Sequence, residues 1–383
     1  MSQQELAAAA GVSVDLIRKL EQGQRHAAQI GSLHRIARAL DREVADLLGR
    51  EAFPEAGEDA GVLALRRAVT DISDLLGTFE GEPVPVGDAE RTAKYLWGSY
   101  WSGKYDVLTS LIPVALTDLQ ATLHDADDEG RPKVADALAR TFWVAACTLA
   151  HLHQPDAAFI AGRRSIEFSG SAGDELLTAT LRGSISWQLL VSGRYKEAVS
   201  LATKTAESIE PTGKVTAPHL STYGSLITTA ATAAARNGRA VAATDLLAEA
   251  DEVARRIGHD RDDYQTAFGP SQVAMQTVDV HVVTEDYGAA LRAAKKMPQN
   301  TGLPLAAQAR HMTDRALAHT RMGHDNKALQ ILLATEDMAP DWMQHQSLAK
   351  QVTRELQVRE TRKSNKLRDL AIRIGVGREI PRG

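Results

Sequence analysis

Apolar residues along this chain recur at three- and four-residue intervals over most of its length, the spacing of amphipathic helices. The first 50 residues show the pattern in short pieces. Leu6 anchors one segment, Gly11 breaks it, and Leu16, Ile17 and Leu20 keep helical spacing after Ser13. A residue without Cβ takes positive φ cheaply, and a serine caps a helix, so Gly11 predicts the turn and Ser13 the next helix start. The second helix would then expose Val14, Asp15, Arg18 and Lys19. "SLHRIARAL", with Leu33, Ile36, Ala37 and Leu40 inward, and "REVADLLG" close the unit.

"REAFPEAGEDAG" reads as a linker. "VLALRRAVTDISDLLG" follows as a connecting helix with Leu65, Val69, Ile72 and Leu76 on one face, and "GEPVPVGD" is a second break. From about Asp88 the chain reads as helical hairpins whose inner turns recur: "SGKYDVL", "HQPDAAFI", "SGRYKEAV", "NGRAVAAT", "TEDYGAAL" and "MGHDNKAL". The residue in the glycine slot is 103, 153, 193, 238, 285 and 323 in turn. Units at such intervals stack, because none buries its apolar face alone. The fold expected is all-α: a helix-turn-helix at residues 1–50, a linker with a connecting helix at 51–87, a repeat array at 88–345 and a basic helical tail at 346–383. The tail carries an excess of six positive charges from Lys350 onward. That suits either phosphate binding or a solvated helix face with pairs such as Glu355–Arg359.

Composition narrows the rest. Aromatics make up 5% of the 383 residues, and Ala and Leu are abundant, which favours close-packed helices. One cysteine, Cys147, excludes an internal disulfide and a cysteine zinc cage; it lies in the apolar run "FWVAACTLA" and reads as a buried thiol. No apolar stretch approaches the ~20 residues of a membrane span, and no signal peptide opens the chain, so a cytoplasmic protein is expected. Phosphate-binding glycine loops and H-E-x-x-H are absent. His151 and His153 point to different sides of a helix, and His319 and His324, five apart, have no carboxylate–cysteine partner set nearby. No catalytic residue, metal site or cofactor is nominated.

Two strings carry resemblances. Ser2, Gln3, Glu5, Leu6, Ala7, Gly11, Val12, Ser13, Ile17, Glu21 and Gly23 fall in the spacing SQ-x-ELA-x3-GVS-x3-I-x3-E-x-G. Leu33, Ile36, Ala37, Ala39, Leu40, Asp46, Leu47 and Leu48 continue it, and together they closely resemble the Cro-type, lambda-repressor-like (XRE) helix-turn-helix family. The resemblance implies that the second helix enters the major groove of double-stranded DNA, with Val14, Asp15, Arg18 and Lys19 at base edges. Arg18 and Lys19 would donate to guanine, Val14 would touch a thymine methyl, and Asp15 would either accept from cytosine N4 or cap its own helix. Gln3 and Arg25 are the implied phosphate contacts. Members of that family usually carry one more helix ahead of Ser-Gln. A start assigned at an internal methionine and a reader reduced to four helices both explain the opening at Met1. Either way the domain as given is expected to be less stable, with Leu6, Leu20 and Leu40 short of cover.

The G-x-Y-x-x-A turn resembles the tetratricopeptide repeat. Aligned on the glycine slot, that resemblance places Trp97, Tyr100, Trp101, Trp187, Arg236, Gln272, Asp279, Arg310 and Arg321 near a concave wall able to hold a peptide or small molecule. A Cro-type reader ahead of such repeats resembles a class of bacterial regulators, and the Arg- and Ala-rich usage with "LRDLAIRIGV" resembles actinobacterial ones. The function this implies is a homodimeric, ligand-responsive transcription regulator, neither enzyme nor membrane protein. The alternative is an interaction scaffold with a vestigial reader.

Overall fold

The computed structural model describes residues 2–21, 32, 35, 36, 39, 40, 59–359 and 364–376. It is all-α, with no strand among the described residues, and helical hairpins follow one another along the chain. Two compact units are present. One comprises the described part of residues 1–100 with 105–173, the other 101–104 with the described residues from 174 onward.

The first unit opens with α1 (Gln3–Ala10) and α2 (Val14–Glu21). Ser2 and Glu5 form a reciprocal capping box at the start of α1, and Gly11 ends it at φ 62°. Ser13 Oγ accepts from Leu16 N at 3.1 Å, so this serine caps α2. Leu6, Ala7, Ala10, Ile17 and Ile36 form a small core, with Leu20 and Leu40 packed partly buried against it. Further along the unit come α3 (Asp59–Val69), α4 (Ser73–Leu76), α5 (Val86–Trp101), α6 (Tyr105–Asp125), α7 (Arg131–His151) and α8 (Pro155–Ala172).

The connecting segment departs from its expected single helix. Leu65 and Val69 are buried as α3 packs on α6 and α7. The Asp71 carboxylate then accepts from Ser73 N at 2.9 Å, a local side-chain turn that competes with helical continuation. Ile72 and Leu76 therefore lie exposed rather than on the buried face. Arg164, stacked over Phe142 and Phe168, holds α4 through Asp74 at 3.0 Å.

The second break is tied down. Glu82 N donates to Asp118 at 3.1 Å and Val84 N to Thr122 at 2.9 Å, so "GEPVP" lies along α6. A Cβ on Gly81 would fall 2.2 Å from the Thr117 carbonyl oxygen. Gly81→Ala is expected to cost about 1–3 kcal/mol through forced backbone displacement. A urea melt unchanged by the substitution would show that the segment yields freely.

The second unit is built from α9 (Glu175–Val191), α10 (Tyr195–Ser208), α11 (Ala217–Arg236), α12 (Ala240–Ile257), α13 (Pro270–Val283), α14 (Tyr287–Ala294), α15 (Leu305–Arg321) and α16 (Asp325–Met338). Short α17 (Pro340–Gln344), α18 (Ser347–Arg359) and α19 (Asn365–Arg373) follow. Each hairpin packs its two helices together, and the first helices α9, α11, α13 and α15 touch in succession.

One turn geometry recurs across both units. Gly103, His153, Gly193, Gly238, Glu285 and Gly323 all take left-handed φ, from 59° to 77°. Five residues on from each, Leu108, Ala158, Ala198, Ala243, Ala290 and Ala328 are 0% exposed. The alanine at five of these six positions lets the second helix lie close on the first; Ser186 Oγ, for example, donates to Ala198 O at 2.7 Å. His153 and Glu285 occupy a backbone region that favours glycine, so the turn is imposed by packing at those two sites.

The same turn geometry ends α19, where Gly375 sits at φ 71° and Val376 N donates to Ala371 O at 2.7 Å. The basic tail is thus partly internal structure. Arg373 forms a bidentate pair with Glu336 of α16 at 2.6 and 2.7 Å, and Arg359 donates to Thr320 O at 2.6 Å. Glu355 pairs with Arg321 at 2.8 Å instead of with Arg359.

Candidate nucleic-acid interface and polar wall

The α1–turn–α2 unit presents one exposed polar face. Ile17 is turned into the small core, which leaves Val14, Asp15, Arg18 and Lys19 about half exposed on the other side of α2. They do not act independently. Asp15 accepts from Arg18 on one carboxylate oxygen and from Lys19, at 2.7 Å, on the other. Lys19 and then Arg18 hold that carboxyl below the usual aspartate range. Because Ser13 provides the cap, Asp15 is spent on its neighbours' charges rather than on the helix terminus. Gln3 lies at the start of α1, and its amide donates to Glu21 at 2.5 Å, tying the two helices. Arg25 lies outside the described residues.

This face can offer two cations, an acceptor and a methyl surface within two helical turns, a set able to read base edges. The profile of a helix-turn-helix family matches residues 1–47. The N-terminal segment is a Cro-like helix-turn-helix. Proteins of this family are DNA-binding regulators rather than enzymes, so the helix-turn-helix supports a DNA-binding transcription regulator. No curated protein matches the chain. No described helix is long and apolar enough to cross a membrane, and no group of three metal-capable side chains occurs among the described residues.

The residues expected on a concave wall separate into distinct settings. Trp97 and Tyr100 are buried: Trp97 meets Trp143 with ring centroids 4.3 Å apart, and Tyr100 packs edge-on to Tyr105 at 6.2 Å. Burial pushes the Tyr100 hydroxyl well above the usual tyrosine range, with Cys147 beside it adding to the shift. These rings form core where a ligand surface was expected, since their face of α5 is turned to α7. Trp101 Nε1 donates to Gln265 at 2.8 Å. Trp187 and Gln272 are half-buried on α9 and α13. Arg321 is engaged by Glu355, away from the others.

Arg236, Asp279 and Arg310 do meet. Arg236 of α11 makes a bidentate pair with Asp279 of α13 at 2.8 and 2.9 Å. Arg310 of α15 donates to the same carboxylate at 2.8 Å. Asp279 is only 4% exposed, against 19% for Arg236 and 37% for Arg310. Burial works to raise its pKa, but the two guanidiniums outweigh it and hold the carboxyl down at about 2. Asp314, missed from sequence, completes the group. Its 2%-exposed carboxylate lies 3.5 Å from Arg310 Nε, and the Arg310-x3-Asp314 spacing on one helix face was the available signal.

Proposed function

We propose that the protein is a ligand-responsive transcription regulator of the class in which a Cro-type reader precedes tetratricopeptide-like repeats. The observation that carries this reading is the exposed face of α2, where Val14, Asp15, Arg18 and Lys19 stand together beyond a capped turn. The recurrent left-handed turn with its buried residue five positions on supports the repeat assignment. Val14, Arg18 and Lys19 would read bases, Asp15 would accept from a cytosine amine, and Gln3 and Arg25 would hold phosphates. A homodimer would set two readers one DNA turn apart, and an effector, peptide or small molecule, would act by shifting the packing of the first helices.

A titration of the full chain on the DNA upstream of its own gene, at several salt concentrations, tests this. Saturable binding is expected to weaken with salt at a log–log slope of about −0.9 per phosphate neutralised. Arg18→Ala/Lys19→Ala is expected to lower specific affinity by tenfold or more, each base contact being worth about 1–3 kcal/mol. Equal affinity for that DNA and for an unrelated fragment, unchanged in the double variant, would favour the scaffold with a vestigial reader.

A further inference from the structure

Packing α11, α13 and α15 together does not require four buried or half-buried charges, and their arrangement is lopsided. Arg236 spends both terminal nitrogens on Asp279. Arg310 gives Nη2 to Asp279, while its Nε faces Asp314 Oδ2 at 3.5 Å, too long for a good hydrogen bond. That Nε and that Oδ2 are both buried with no hydrogen-bond partner. The Arg310 side chain is nevertheless 37% exposed, so a second edge of its guanidinium reaches the surface.

We infer that this cluster is a binding site for an anionic group of the effector, a carboxylate or a phosphate, seated on the open edge of Arg310 beside Arg236. The inference rests on reading the first-helix wall as the effector surface. With Asp314 neutral, two guanidiniums face one carboxylate, and an anion restores the balance. With Asp314 ionised the charges already cancel, and an anion meets a buried carboxylate instead. Anion and Asp314 charge therefore compete for the same guanidinium.

The charges that bear on Asp314 are Arg310 on its own helix, Asp279 of α13 and Arg236 of α11. Around them, Glu355 of α18 is taken by Arg321 and Glu336 of α16 by Arg373, while His311 and Arg315 share α15. Burial pushes the Asp314 carboxyl up to about 7 against the pull of Arg310, which places the competition at neutral pH.

Calorimetric titration of the full chain with sulfate, and separately with acetate, in chloride at constant ionic strength and without DNA, tests this. Both probes keep their charge between pH 6 and 8. Wild-type affinity is expected to be about tenfold higher at pH 6, following the fraction of Asp314 that is neutral. Asp314→Asn is expected to bind at pH 8 as tightly as the wild type at pH 6, with no further pH dependence. Arg310→Ala, and the charge-conserving Arg310→Lys should the first not fold, are expected to weaken binding at least tenfold. Sulfate preferred over acetate assigns a phosphate-like group; the reverse assigns a carboxylate. Absence of binding in both wild type and Asp314→Asn at pH 6 overturns the inference, as does a pH dependence that survives in Asp314→Asn. Because no DNA is present, either result leaves the operator-binding reading to its own test.

Discussion

Asp279→Ala is expected to lower the unfolding free energy by about 3–5 kcal/mol, the usual cost of removing one partner from a buried ionic group. The geometry explains why the effect falls on this residue rather than on either arginine. Asp279 is 4% exposed and accepts three charge-assisted bonds, two from Arg236 and one from Arg310. Those bonds join the first helices of three consecutive hairpins. Without the carboxylate, two guanidiniums remain side by side, and only Arg310 has appreciable access to water. Removing Arg236 alone leaves Asp279 still paired with Arg310, so Arg236→Ala is expected to cost less. Replacing all four charges, as Arg236→Met/Asp279→Leu/Arg310→Met/Asp314→Leu, is expected to recover most of the loss, since apolar side chains of similar volume avoid the desolvation the ions suffer and leave no acid unpaired. Urea unfolding of the four proteins separates these cases. Equal losses for Asp279→Ala and the fourfold variant would mean that the ions themselves stabilise the packed helices.

Parts of this architecture are legible from sequence because local chemistry dictates them. Gly11 and Ser13 fix the reader's turn without help from distant residues, and α1 and α2 stand where the spacing predicts. The six hairpin turns are legible for the same reason, even at His153 and Glu285, where a buried alanine five positions on marks the register. Alignment on those turns also brings Arg236, Asp279 and Arg310 to one side of their helices. What alignment cannot separate is a wall from a core: Trp97 and Tyr100 share that register yet are covered by Trp143 and Tyr105. The break after α3 depends on one side chain, Asp71, outcompeting the backbone ladder. The tail's charge excess says nothing of partners far off in sequence, such as Glu336 for Arg373.

The second large effect is a pH dependence that two buried groups on α15 conceal from each other. Burial raises the Asp314 carboxyl from an ordinary 3.8 to about 7, so between those values the folded chain holds a proton that the unfolded chain has released. Its contribution to stability is full below about pH 4 and is lost as pH rises through 7. At about 1.4 kcal/mol per pH unit, that amounts to roughly 4 kcal/mol over the window. His311, three residues earlier, runs the other way. Burial, with Arg315 nearby, lowers its imidazole from 6.5 to about 4. The unfolded histidine holds a proton there that the folded one lacks, so its contribution is full above about pH 6.5 and is lost as pH falls to 4. Between pH 4 and 6.5 the two slopes oppose each other, and the wild-type profile from this helix is expected to be nearly flat. Asp279, held at about 2, changes only below that range. Asp314→Asn removes one slope and exposes the other. The variant is expected to gain stability as pH rises from 4 to 6.5, and its advantage over wild type should grow by up to about 4 kcal/mol before levelling above pH 7. Urea midpoints at half-unit pH intervals would show this directly; parallel curves for the two proteins would mean that Asp314 ionises as an ordinary carboxylate and that its burial is relieved in solution.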